Sequence, residues 1–153
     1  QNPNLARAVG LESGFPLVGY RSVAKNLELT ADHAQEIAEI CLNAEGDTLD
    51  VDASTMGGIR DFTADVDEIT ALAVRSVVER DYDLTIEVRR LFREIRDTER
   101  ELLASLPEMP NAALLEVREV LVGLRQTAEY AVRNAEIAAN LALDEDSEHV
   151  AID

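Results

Sequence analysis

Apolar and small residues recur at alternating spacings of three and four along two stretches of the chain. The first runs through Ala24, Leu27, Ala31, Ala34, Ala38 and Cys41, and the second through Leu121, Leu124, Ala128, Ala131, Ala135 and Ala138. This is the spacing of a coiled-coil-type seam on an α-helix. The agreement extends to residue identity. At a constant shift of 97 positions, Leu27, Thr30, Ala31, Ala34, Ala38, Glu39 and Ile40 meet Leu124, Thr127, Ala128, Ala131, Ala135, Glu136 and Ile137. One helix type used twice is the mark of an internal duplication. Alanine seams let helix backbones approach towards the short end of the ~8–10 Å interaxial range. The two ridges are therefore expected to meet face to face at the centre of the fold.

The remaining pattern predicts three further segments of regular structure and their breaks. Residues 1–15 read as a short helical turn and loop, with Gly10 and Ser13-Gly14-Phe15-Pro16 as breakers. The first long helix then runs from about Pro16 to Asn43, with proline at a favoured first position. An acidic connection, Glu45 to Ser54, follows, in which Asp52 or Ser54 serves as N-cap. The second helix carries Ile59, Phe62, Val66, Ile69 and Ala73 on one stripe and ends near Arg80, with Gly57-Gly58 blurring its start. Asp83 is expected to cap a third helix whose Leu84, Val88, Leu91, Ile95 and Leu102 face inward. Pro107 and Pro110 bracket a loop, and the last helix runs from about Asn111 to Leu143. Short connections make sequential helices antiparallel neighbours. The expected fold is thus all-α, an antiparallel up-down bundle of four main helices over residues 16–143. Residues 144–153 are acidic, lack periodicity and read as a loose tail.

Length and composition narrow the function classes. At 153 residues the chain fits one domain with a substantial core, and aromatics at 4% with no Trp leave that core to aliphatic residues and alanine. The formal net charge is −17, and Lys25 is the only lysine. So acidic a chain repels nucleic acid and anionic headgroups, which argues against direct DNA binding. The acidity suits cations or basic partners. It suits better a halophile's salt-rich cytoplasm, where ionic strength screens self-repulsion, because low Lys and abundant Asp and Glu run the whole length of the chain. Cys41, the single cysteine, forms no disulfide framework, which favours an intracellular, cytoplasmic location, and on the seam it reads as core filler. No apolar run reaches the ~18–20 residues of a membrane span. The chain begins at Gln1 rather than Met and so looks like a processed product or a piece of something longer.

Few residues offer chemistry. Glu28 and Asp32, four apart, project from adjacent turns and can share a hard or borderline cation, with Glu39 two turns on. Asp61 and Asp65 make a second such pair. The same spacing is ordinary on a solvated face of an acidic chain. His33 points about 100° round the helix from Asp32 and reads as a partly exposed or capped histidine rather than a ligand. A di-iron site would need Glu-x-x-His on two bundle helices, and Asp146-Ser147-Glu148-His149 does not supply it. Arg89, Arg93, Arg96 and Arg100 form a basic stripe that could receive an anion, but Glu87, Glu94, Asp97 and Glu101 interleave with it as in a salt-bridged face. There is no Gly-rich phosphate loop, zinc-spaced cysteine pair or nucleophile with base, so the chain reads as a non-enzyme.

The segment Asn26-Leu27-Glu28-Leu29-Thr30-Ala31-Asp32-His33-Ala34-Gln35-Glu36-Ile37-Ala38-Glu39 resembles the PhoU family of phosphate-uptake regulators. The family's third helices carry Leu-Glu-x-x-x-Asp-His-Ala-x-x-Ile-Ala-Glu, and Gly123 to Glu136 is similar to the same segment in a second copy. The family has two three-helix repeats. The resemblance implies that this chain supplies the third helix of the first and all three of the second. It also implies metal binding, by iron, zinc or manganese, at Glu28 and Asp32. In the second copy Arg125 stands where the acid should be and Glu129 replaces the aspartate as the remaining candidate metal ligand, which favours a single site or none over a cluster. The implied function is regulation of phosphate uptake and homeostasis through contacts with a phosphate-transporter ATPase or a sensor kinase. Some archaeal relatives carry an AbrB-like DNA-binding domain ahead of such a bundle. The alternative, from the residues alone, is a structural or dimerisation bundle without metal, with a homodimer left open.

Overall fold

The computed structural model describes residues 15–43, 51–106 and 111–150. The expected N-terminal turn, most of the acidic connection, the Pro107–Pro110 loop and the last three residues lie outside them. The described residues form an all-α bundle of four helices: α1 (Phe15–Asn43), α2 (Ala53–Glu79), α3 (Tyr82–Ser105) and α4 (Asn111–Val150). The last helix continues through Asp144 to Val150, where a loose tail was expected. No Gly or Pro interrupts that stretch, so backbone hydrogen bonding propagates without any amphipathic pattern.

Local chemistry sets the boundaries. Asp52 caps α2, its carboxylate accepting from the Ser54 and Thr55 backbone amides at 2.8 and 3.0 Å. The cap of α3 is Asp81, not Asp83, because the helix already begins at Tyr82 and the Asp81 carboxylate receives the amides of Asp83 and Leu84. Between them Arg80 closes α2 in the left-handed region at φ 52°, the only positive φ at a non-glycine among the described residues. Its guanidinium donates to the Tyr20 hydroxyl at 2.8 Å, tying the end of α2 to the start of α1.

α2, α3 and α4 pack on one another as a three-helix unit, and α1 packs chiefly on α4. The α2 stripe of Ile59, Phe62, Val66, Ile69 and Ala73 is buried as its spacing predicts, against Val88 and Ile95 of α3 and Val117, Leu121 and Ala128 of α4. Gly58 lets Leu102 approach: a Cβ there would stand 2.5 Å from Leu102 Cδ2. The buried Thr85 hydroxyl donates to the Ala135 carbonyl at 3.0 Å and pins α3 to α4.

The two alanine ridges do not meet. On α4 the ridge Leu121, Leu124, Ala128, Ala131, Ala135 and Ala138 is buried, and all but Ala138 join the core with α2 and α3. On α1 Ala24, Leu27, Ala31, Ala34 and Ala38 are exposed, and Cys41 is half-buried at the edge of the core rather than within it. The face of α1 that meets α4 lies one residue earlier, about 100° round the helix: Tyr20, Val23, Asn26, Thr30, His33, Ile37 and Ile40. The helices run antiparallel. Gly19 lies under Ile137 and Leu141, Asn26 Nδ2 donates to Asn134 Oδ1 at 2.8 Å, the rings of His33 and Tyr130 stack at 5.8 Å, and Ile37 lies over Gly123.

That contact obeys the repeat. Shifting Asn26 by 97 gives Gly123, and shifting Asn134 back by 97 gives Ile37, so the Asn26–Asn134 contact maps onto the Ile37–Gly123 contact with the helices exchanged. His33 maps onto Tyr130, its own stacking partner, which places this ring pair on a pseudo-two-fold axis between α1 and α4. The 97-residue register is therefore kept in the packing, through a different face from the one the small residues suggest.

Candidate functional site

The candidate ligands fall on three separate helices. Glu28 and Asp32 are exposed on α1, turned away from α4, and the Glu28 carboxylate already accepts from Lys25 Nζ at 2.9 Å. Glu39 accepts from Gln35 Nε2 at 2.8 Å on the same helix. His33, next to Asp32 in sequence, points into the α1–α4 contact, stacked on Tyr130 and hydrogen-bonded through Nδ1 to Glu36 at 3.0 Å. The segment Glu28 to His33 thus combines outward acids with an inward packing ring. Among the described residues, no three His, Cys, Asp or Glu side chains converge on one point. The donor set fits no closed or multinuclear metal centre. What it leaves is an open pair of carboxylates at Glu28 and Asp32, to which an ion would have to bring its own water.

In the second copy a guanidinium occupies the corresponding place. Arg125, at the register position of Glu28, forms an ion pair through Nε with Glu99 of α3 at 3.2 Å and donates to Glu129. Glu99 keeps only 13% of its side chain exposed, so the pair holds α3 against α4, with one guanidinium shared between two carboxylates. Glu129, expected as a ligand in the sequence reading, is committed to this arginine. Glu99 is the participant that sequence pattern misses, because nothing in α3 alone marks it as facing Arg125.

Asp61 is exposed and Asp65 partly buried on α2. The Asp65 carboxyl is held above the ordinary carboxylate range, first by burial and then by the charges of Glu68, Asp61 and Glu94. A raised folded-state pKa means that folding favours the protonated form. That contribution is complete below the unfolded carboxyl pKa, near ~3.9, and is lost as pH rises through the raised folded value. At neutral pH the charge is a net liability. Asp65→Asn should therefore stabilise the fold at pH 7 by under about 1 kcal/mol, given its partial exposure, and by less at pH 4. Urea midpoints at the two pH values check this, and a destabilised variant at pH 7 would contradict it.

Two of the four stripe arginines of α3 are seen paired: Arg100 meets Asp97 at 2.9 Å and Arg89 reaches Glu136 of α4 at 3.4 Å, while Arg90 beside the stripe joins Glu87 and Glu94. Arg96, Arg100 and Arg133 border a groove of about 650 Å³ between α3 and α4, with Arg125 and its two glutamates along it. A second groove of about 620 Å³, where the C-terminal part of α1 passes the start of α4, is bordered by Glu36, Glu39, Glu116 and Glu119 with Arg118. None of the described helices is long and apolar enough to cross a membrane. No family model, curated protein or solved structure matches the chain.

Proposed function

We propose that this chain is a regulatory module of phosphate uptake and phosphate homeostasis, of the PhoU kind, acting in the cytoplasm through protein contacts rather than catalysis. One observation carries the reading. The two segments that resemble the family's third helices, Asn26 to Glu39 and Gly123 to Glu136, pack antiparallel about the His33–Tyr130 pair as register equivalents. A chain built from one such helix followed by a three-helix unit is what a third helix plus a complete second repeat would look like. The partners in this reading are a phosphate-transporter ATPase or a sensor kinase. A single iron, zinc or manganese ion at Glu28 and Asp32 is the form of metal dependence the exposed pair leaves room for.

A second reading, a structural or dimerisation bundle without metal, is favoured by Arg125, which satisfies Glu99 and Glu129 with no ion. Metal analysis of the chain purified without chelator separates the two. The regulatory reading expects bound metal that is lost in Glu28→Ala with Asp32→Ala while thermal stability stays unchanged. No metal in either protein leaves the scaffold. The function itself is tested in the host, where disrupting the gene should raise phosphate uptake when phosphate is plentiful. Unchanged uptake would remove the assignment to phosphate control.

A further inference from the structure

The α3–α4 groove gathers positive charge on an otherwise acidic chain. Four arginines outnumber two glutamates in its lining, against a net charge of −17 for the whole sequence. Those glutamates, Glu99 and Glu129, share Arg125 between them. Arg100 meets Asp97 in a contact open to water, 71% and 65% of the two side chains being exposed, which holds it only weakly. Among the described residues neither Arg96 nor Arg133 makes an ion pair, and the Arg133 guanidinium is steadied over the Tyr130 ring at 5.1 Å. Three of the four arginines are therefore free to turn to a ligand.

Helix geometry orders these groups along the groove. The ion pairs Arg89–Glu136 and Glu99–Arg125 register α3 antiparallel to α4. Three residues in from the first pair on each helix, Phe92 and Arg133 come level with each other. Arg96 and Arg100 follow on the next two turns of α3, at steps of about 6 Å. One end of the groove is thus walled by the half-buried Phe92 ring and Val132, and the other presents two guanidiniums in succession. Its volume of about 650 Å³ falls within the ~300–1,000 Å³ of small-ligand sites. A guanidinium fork matches phosphate oxygens, and aromatic faces and guanidinium planes stack on bases. The geometry points to a nucleotide site, taking a nucleoside di- or triphosphate. Its base lies against Phe92 and Val132 beside Arg133, and its phosphates reach Arg96 and Arg100. A nucleic-acid strand is the poorer occupant, because its charge would run on past the groove over a surface that repels it. A single nucleotide ends within the roughly 12 Å from Phe92 to Arg100. The inference rests on the groove alone, so its failure leaves the regulatory reading untouched.

Calorimetric titration of the full chain with ATP, in chelator and at the lowest salt that keeps it folded, tests this. ATP should bind, and inorganic triphosphate should bind at least about fivefold more weakly, because it forgoes the base contact. Arg96→Ala and Arg100→Ala should each weaken ATP about tenfold, the loss of one charge-assisted phosphate contact. Phe92→Leu should bring ATP down to the affinity of triphosphate and leave triphosphate itself unchanged. Arg118→Ala removes the same charge from the other groove and should change ATP affinity less than about twofold. Arg96, Arg100 and Arg118 are exposed, so these three variants keep the fold, which circular dichroism checks. A parent chain that does not bind ATP would overturn the inference, as would triphosphate binding as tightly as ATP. So would Arg118→Ala weakening ATP as much as Arg96→Ala, which would mean diffuse attraction to arginine rather than a site.

Discussion

Ala131→Glu should cost at least about 4 kcal/mol of folding stability, while Ala34→Glu, the same change at the equivalent position of the first copy, should cost less than about 0.5 kcal/mol. Ala131 is buried on the α4 ridge beneath α2 and α3, in a cluster of aliphatic side chains and Phe62. A carboxylate placed there has no partner and no room, so it must be protonated, force the hairpin away or leave the chain unfolded. Ala34 is exposed, and a longer side chain there meets water. The contrast isolates environment, because residue type and register position are the same in both. Urea unfolding of the two variants beside the parent measures it. Equal losses would mean that both ridges are buried alike, and the description of α1 as open on that side would fail.

Why the wrong face of α1 is the natural one to choose from sequence has a physical answer. α1 carries two stripes one residue apart. The ridge is almost wholly alanine and leucine, whereas the stripe that packs on α4 includes Asn26, Thr30 and His33. Apolar periodicity selects the first. The second is usable only because its polar groups are satisfied: Asn26 by Asn134, Thr30 by the Asn26 carbonyl at 3.0 Å, and His33 by Glu36. Such pairing depends on what α4 presents and cannot be read from α1 alone. The repeat does hold a clue, since Val23 and Val120, Thr30 and Thr127, and Ile40 and Ile137 are identities on the packing stripe itself. The α2 stripe is legible because no rival stripe competes with it.

The same division runs through the site. Spacing finds Glu28 with Asp32, and Asp61 with Asp65, because i,i+4 neighbours are fixed by helix geometry. It cannot say whether pairs on different helices converge, and here they do not. The consequence of Arg125 in an acid's place, pairing with a carboxylate, follows from charge, and Glu129 is such a partner. Its other partner, Glu99, is set by how α3 crosses α4. Between Asp81 and Asp83, two residues of equal capping propensity, only the first residue with helical backbone decides, and that is a tertiary outcome of where Arg80 turns the chain.

Phe62→Ala should cost about 3–5 kcal/mol, a loss set by the volume removed and by how little the surroundings can refill it. Phe62 is the largest fully buried side chain among the described residues, packed where α2 meets both α3 and α4. Its neighbours refill poorly. The facing ridge of α4 contributes Ala128 and Ala131, whose methyl groups have no rotamers with which to reach into a void. Only 4% of the chain is aromatic, so the core has little other bulk of that kind. At about 2–4 °C per kcal/mol for a domain of this size, the melting temperature should fall by roughly 6–20 °C. The Asn26–Asn134 and His33–Tyr130 pairs between α1 and α4 do not include Phe62, so they should remain in the folded variant. A loss below about 1 kcal/mol, measured by urea or thermal unfolding, would mean that the three-helix unit does not close around Phe62, and the account of the α4 ridge as a covered surface would fall with it.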